Sequence, residues 1–141
     1  MTDSGAGRGL GLGCGFLDAI PSRRLQVDGR IALEVDLSDD LRGPGGSMHG
    51  GLVSMLVDVA GASALAAASG RPLATSSIEV QYLASGRIGP IRAVGEVLRL
   101  GDALGIAEVR VVDVGREERL MAVAHVVCTF LAGDDYVAKT S

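Results

Sequence analysis

Two short stretches of this chain carry the residue types of an acyl-transfer centre. The first is Asp58, the only charged side chain between His49 and Arg71, set among Leu52, Val53, Met55, Leu56, Val57, Val59 and Leu65. Burying an unpaired carboxylate is costly, so such a group is either paired with a neighbour or used in chemistry. Ser54, one turn earlier, is a candidate partner if Asp58 only fixes packing. The second stretch is His49-Gly50-Gly51. It places two glycines at the start of a helix, where backbone N–H groups are unpaired and the dipole is positive. With no Cβ in the way, a polarised carbonyl or an anion can approach those amides closely. A glycine pair alone also fits a plain N-terminal turn. Taken together, an oxyanion donor and a carboxylate are two parts of an acyl-transfer site.

Their spacing constrains how they could cooperate. Gly50 and Asp58 are eight positions apart, which is ~12 Å along a helix rising about 1.5 Å per residue. One ester or thioester group cannot touch both at ~3 Å. If both serve one reaction centre, the second must come from another copy of the helix. Antiparallel pairing about a two-fold axis would bring Gly50 of one copy near Asp58 of the other, twice per dimer.

The element that positions them is the stretch Ser47 to Ser69, read as one helix buried on all sides because it has no polar face. Pro44, Gly45 and Gly46 break the chain ahead of it, and Gly70 with Pro72 ends it. Gly61, Ala62, Ser63 and Ala64 are small enough to let a surrounding layer come close. The helix has the length of a membrane span, but its Ala and Gly content and its central acid argue against one.

The 141 residues are expected to form one domain with a sizeable core. A hydrophobic fraction of 48% and a charged fraction of 21% are ordinary for a globular protein, and a net charge of −4 gives no reason to expect a nucleic-acid or membrane partner. Cys14 and Cys128 make neither a disulfide framework nor a metal spacing, and suit a reducing compartment. With no secretory pattern at the N-terminus, the expected location is cytoplasmic.

Residues 1–15 read as a flexible Gly-rich leader without a dinucleotide-binding spacing. Phe16 to Ile20 reads as a short helical turn stopped by Pro21. Arg23 to Val27 and Arg30 to Leu37 flank Asp28-Gly29 as a hairpin, with Ile31, Leu33, Val35 and Leu37 facing one way and Ala32, Glu34 and Asp36 the other. Asp39 to Gly46 is expected to be a flexible loop. After the helix, Thr75 to Leu83 alternates, with Ile78, Val80 and Tyr82 on one face and Ser77, Glu79 and Gln81 on the other. Further strands are expected over Ile88 to Leu100, bent at Gly95, then Leu104 to Val114 and Leu120 to Phe130, all four joined by short turns as successive hairpins. The expected fold is α+β: a curved antiparallel sheet of five to six strands wrapped around one long central helix. The domain is expected over residues 16–131, with a tail over 132–141.

On these residues the chain resembles the hotdog-fold thioesterases, in the PaaI-like branch that contains the phenylacetyl-CoA and 4-hydroxybenzoyl-CoA thioesterases. The signature is His49-Gly50-Gly51 followed by Leu56-Val57-Asp58, then Ala60, Gly61 and Ala64, and it continues through Tyr82-Leu83 to Gly89. The similarity runs from about Leu25 to Phe130. The resemblance implies an acyl-CoA thioesterase in which the Gly50 N–H polarises the thioester carbonyl. It implies that Asp58, from the partner subunit, attacks the carbonyl or activates water. It places an assisting hydroxyl at Thr75, with Ser76 adjacent. His49 is expected to cap the helix rather than act as a base, and His125 to be a sheet residue. His49, Gly51, Arg42, Ser76 and Arg87 are the expected substrate-binding residues, Arg87 through the CoA phosphates. No cofactor or metal is implied, since CoA is part of the substrate. The expected partners are acyl-CoA and a second copy of the chain, with dimers pairing into tetramers.

One departure bears on rate. Related enzymes often carry Asn or Gln six residues before the His, where this chain has Gly43; Arg42 or a loop amide would have to replace that group. The alternative reading is a hotdog protein that binds acyl-CoA or a lipid without turnover, as a sensor or carrier. A hotdog dehydratase lacks its Asp-and-His pair here.

Overall fold

The computed structural model describes residues 14–132. Most of the leader expected over 1–15 and of the tail expected over 132–141 lies outside the described residues. A short helix α1 (Gly15–Ala19) precedes strands β1 (Ser22–Val27) and β2 (Arg30–Val35), then the long helix α2 (Gly50–Ser69) and strands β3 (Leu73–Tyr82), β4 (Ile91–Leu100), β5 (Leu104–Asp113) and β6 (Arg119–Phe130). The six strands form one sheet in the order β1-β2-β4-β5-β6-β3, every neighbour antiparallel. Asp28 and Gly29 take φ of 51° and 77°, the left-handed pair that a two-residue hairpin turn demands.

The strand pairing differs from the expected run of four hairpins. Only β4-β5-β6 is such a run; β3 crosses to the far edge and pairs with β6, while β4 pairs with β2. With β4, β5 and β6 between β2 and β3, five strands pack against the helix along one of its faces. β4 also begins at Ile91 rather than Ile88, after the Gly89–Pro90 step.

Helix α2 buries Leu52, Val53, Leu56, Val57, Ala60, Gly61, Ala64 and Leu65, a stripe spaced by three and four residues. It meets Leu33, Val35, Ile91, Ala93, Val109, Val111, Ala124 and Val126 from the sheet in one core. Each large aliphatic side chain so buried contributes about 1.5–3 kcal/mol. The opposite stripe, with Ser54, Met55, Asp58, Val59, Ala62 and Ser63, is only partly covered. The expectation of burial on all sides is therefore corrected: a single sheet covers one face of the helix, and apolarity on the other face remains without cover in one chain. Gly70 ends the helix at φ 66°, its N–H bonded to the Ala66 carbonyl, as helix-stop chemistry predicts.

Two glycines set the distance between helix and sheet. A Cβ at Gly61 would lie 2.6 Å from Val126 Cγ2, and one at Gly95 would lie 2.6 Å from the Ala60 carbonyl oxygen. Gly95 is thus a contact point rather than the expected bend, and the irregularity in β4 falls between Val97 and Arg99. Because the atom opposite Gly95 is helix backbone, which cannot rotate away, Gly95→Ala is expected to destabilise the fold by about 2–3 kcal/mol. Chemical denaturation would show a lower midpoint at unchanged slope.

The outer face of β2 holds a second surprise. Ala32 and Glu34, on the face opposite Leu33 and Val35 as expected, are buried as well. Arg23 and Arg92 lie over Glu34 at 2.5 Å and 2.7 Å, so the carboxylate is covered by its own ion pairs.

Candidate active site

The loop into α2 is built rather than flexible. Residues Asp39–Leu41 form a 3-10 turn, and Arg42 bridges to Met48. The Gly43 N–H donates to the Ser47 carbonyl at 2.8 Å, His49 N–H to Leu41 at 3.1 Å and Met48 N–H to Gly86 at 2.9 Å. Arg42 spends its guanidinium on the carbonyls of Gly46 and Arg87, at 2.7 Å and 3.0 Å, and Arg87 turns its own onto the Gly45 carbonyl at 3.2 Å. Both arginines brace the loop, so Arg42 is not placed to stand in for the polar group absent at Gly43. Space is not the reason for that absence, since a Cβ there would make only ordinary contact with His49.

This bracing fixes how the helix begins. His49 is the N-cap, its Nδ1 accepting the Gly51 N–H at 3.0 Å. The N–H groups of Leu52 and Val53 donate to the His49 carbonyl. Gly51 is therefore committed to the cap, and among the described residues the Gly50 N–H alone of the first turn has no acceptor. It is the free donor at the positive end of the helix dipole.

Asp58 and Thr75 are brought together. The Thr75 hydroxyl donates to Asp58 Oδ1 at 2.6 Å. A bulge in β3 between Thr75 and Ser77 makes this possible. It shifts the alternation by one, so that Thr75 and, beyond it, Ile78, Val80 and Tyr82 all face the helix. Ser76, the bulged residue, instead bonds Thr129. Behind Thr75 lies the buried Cys128, whose sulfur is 3.9 Å from the Thr75 hydroxyl. Burial pushes the Cys128 thiol up, against a smaller opposing effect of the Thr75 bond, and the charge of Asp58 adds to the rise.

Asp58 itself is partly exposed on the uncovered stripe of α2 rather than sunk in the core. Ser54 is not its partner; that hydroxyl bonds Tyr82 Oη at 2.5 Å. Gly50 and Asp58 of one chain stand at different levels of the same helix, as their spacing requires. His125 lies exposed on the outer sheet face, 3.9 Å from Glu108.

Sequence reasoning missed two residues. Tyr82 donates to the Gly50 carbonyl at 2.8 Å and packs its ring beside Gly50 Cα; nothing in the local pattern ties a strand end to a helix start 32 positions earlier. Asp113 is fully buried and accepts the backbone N–H groups of Arg87, Ile88 and Gly89 at 2.8, 3.0 and 2.8 Å. Its signal was present: it continues the inward series Val109, Val111 along β5. Burial acts to raise its carboxyl, but the three backbone donors, helped by Arg116, outweigh this and hold it below the usual range.

The chain is similar to several known proteins. A Halobacterium salinarum protein provisionally named an esterase is 37% identical over 92 residues, 60% of each chain. The chain spans about 60% of the length of the curated relatives it matches. Among solved structures, the Escherichia coli PaaI protein, from the phenylacetic acid degradation operon, superposes with a TM-score of 0.75 at 18% identity, over 86% of this chain and 87% of its own. A Bacillus halodurans protein solved with CoA gives 0.69 at 21% identity, over 81% and 75%. The shared architecture is the hotdog fold, the curved six-stranded sheet around one helix. Residues 45–120, from the loop before Gly50 through the start of β6, match the sequence family described as "Thioesterase superfamily", and the chain belongs to that superfamily.

Proposed function

We propose that this protein hydrolyses acyl-CoA thioesters, in the manner of the PaaI-like branch, at a site that two copies of the chain share. The observation that carries the reading is the pair of unspent groups on α2. One is the acceptor-free Gly50 N–H; the other is the Asp58 carboxylate, held by Thr75 on the uncovered helix face. The CoA bound to the Bacillus halodurans neighbour supports the substrate class.

In this reading the thioester oxygen accepts the Gly50 N–H. Asp58 of the other copy either takes a proton from water as the water attacks, or attacks the carbonyl carbon directly. A C–O bond forms, and negative charge moves to the oxygen at Gly50. On collapse the C–S bond breaks. On the water route the departing CoA thiolate takes the proton that Asp58 removed. On the direct route water then hydrolyses the acyl–Asp58 anhydride, frees the carboxylate and supplies the proton of the thiol. Thr75 keeps Oδ1 in place, which leaves Oδ2 to face the reaction. The partly exposed stripe of α2 and the edge strand β3, with Ile78 and Tyr82 at 40% and 54% exposure, give a second copy a surface to cover.

The test is complementation. Gly50→Pro removes the N–H at the first helical position, where proline is tolerated, and His49 at ψ 131° already suits a following proline. It is expected to lose about 10²–10³-fold in kcat. Refolding Gly50→Pro together with Asp58→Asn should regain activity, because each mixed dimer rebuilds one intact site from the two unaltered residues. If the mixture stays as inactive as its parts, or if light scattering shows a monomer that hydrolyses thioesters, the shared site is refuted. Tight acyl-CoA binding without CoA release would favour a carrier instead.

A further inference from the structure

We infer that Met121 sets the length of the acyl group this protein accepts, by closing the inner end of a cleft that opens beside Gly50. The inference rests on the thioesterase reading above and extends it to the acyl part of the substrate.

The cleft has a volume of about 370 Å³ and lies between the start of α2, the end of β3 and the turn that follows it, with Gly50, Val53, Tyr82, Leu83, Gly86 and Met121 among its walls. An acyl thioester whose oxygen accepts the Gly50 N–H has a tail and a sulfur arm on opposite sides of its carbonyl. Of the apolar walls, Leu83 is exposed at the mouth while Val53 and Met121 are buried, so the tail is directed toward Val53 and Met121. Met121 is 2% exposed yet lines the cleft, as do the buried Val53 and Met48, so these three form its closed end, with Met121 contributed by the sheet.

Two further observations show that its side chain is aimed there. The β5–β6 register shifts between Val111 and Val112, so that Met121 falls opposite neither and both it and Ala122 are buried. A bulge of this kind re-aims a side chain. In addition, the residue beside it is glycine: a Cβ at Gly86 would lie 2.5 Å from Met121 Cε and 2.7 Å from its sulfur. The backbone of Met121 is held independently, its carbonyl accepting the N–H groups of Leu83 and Ala84 at 2.7 and 3.1 Å. Substitution therefore changes the floor without releasing the strand. A flexible thioether against a glycine is a wall that small changes can move in either direction.

Variants of the two residues give the test. Wild type, Met121→Ala and Gly86→Ala are assayed with butanoyl-, octanoyl- and dodecanoyl-CoA. Met121→Ala deepens the cleft and should raise the dodecanoyl/butanoyl ratio of kcat/KM by about tenfold or more, since each methylene accommodated in an apolar pocket is worth a factor of that order. Gly86→Ala puts a Cβ 2.5 Å from Met121 Cε and 2.9 Å from Ile91 Cδ1, so the thioether must move and the same ratio should change by more than about twofold. Met121→Leu, whose tip ends one bond nearer the backbone at nearly the same volume, replaces the alanine variant if that fails to fold, with a smaller rise expected. Ratios unchanged within twofold in variants that fold and turn over overturn the role of Met121 while leaving the thioesterase reading intact. Absence of CoA release by wild type from every thioester refutes that reading, and this inference with it.

Discussion

Asp58→Asn is expected to lower CoA release by about 10³-fold, in kcat far more than in KM, because the lost group acts on the reacting atoms and not on the bound ground state. The substitution is close to neutral in shape. An Asn Oδ1 can still accept the Thr75 hydroxyl that Asp58 accepts at 2.6 Å, and the position is partly exposed, so no buried charge is left unpaired. The melting curve should therefore be retained, which separates a chemical loss from an unfolded protein. Thr75→Val removes only the orientation of the carboxylate and should cost less, about tenfold, the order of a single positioning contact. Stopped or continuous assays of free thiol across the acyl series measure both. A wild-type rate in the Asn variant would end the assignment of Asp58, whether as base or as nucleophile, since the amide can serve as neither.

The largest effect on stability is expected at Asp113. Replacing it with Ala empties a buried site and takes the acceptor from three N–H groups, those of Arg87, Ile88 and Gly89, and the loss should be about 3 kcal/mol. Asn retains one good acceptor and should lose less. The effect reaches the site through the backbone, because the same turn offers the Gly86 carbonyl to Met48 and the Arg87 carbonyl to Arg42, which hold the loop ahead of Gly50. The pH dependence has a definite sign. The folded carboxyl lies below its ordinary value, so the unfolded chain binds the proton more readily. The stabilisation is then fully present above the ordinary carboxylate range, about pH 4, and is lost as pH falls through the lower folded value. Urea midpoints of wild type and Asp113→Asn should differ most near neutrality and converge below that range. A gap that does not narrow in acid would show that the bonds are not made by an ionised carboxylate.

The outcomes separate the two readings of the site. A protein that binds acyl-CoA tightly and releases no CoA, with or without Asp58→Asn, is a carrier, and its Gly50 amide is a docking contact. One that loses turnover with both Asp58→Asn and Gly50→Pro, and regains it on mixing, is an enzyme whose site exists only in the pair.

What the amino-acid sequence determined by itself were the features written in local chemistry. The helix ends at Gly70 because only glycine takes φ 66° there without strain. The hairpin at Asp28-Gly29 follows from a left-handed residue pair, and the apolar α2 follows from its composition. That Thr75, and not Ser76 or Ser77, meets Asp58 has its physical reason in the bulge that turns Thr75 inward, which no local pattern announces. Tertiary structure decided the rest, because those outcomes depend on which distant segments meet. Where β3 goes, which face of α2 stays uncovered, and why Gly95 must be glycine are settled by the path of the sheet around the helix. Likewise, Asp113 has the periodicity of a core residue and the charge of a surface one. Only three amides arriving from positions 87–89 reconcile the two.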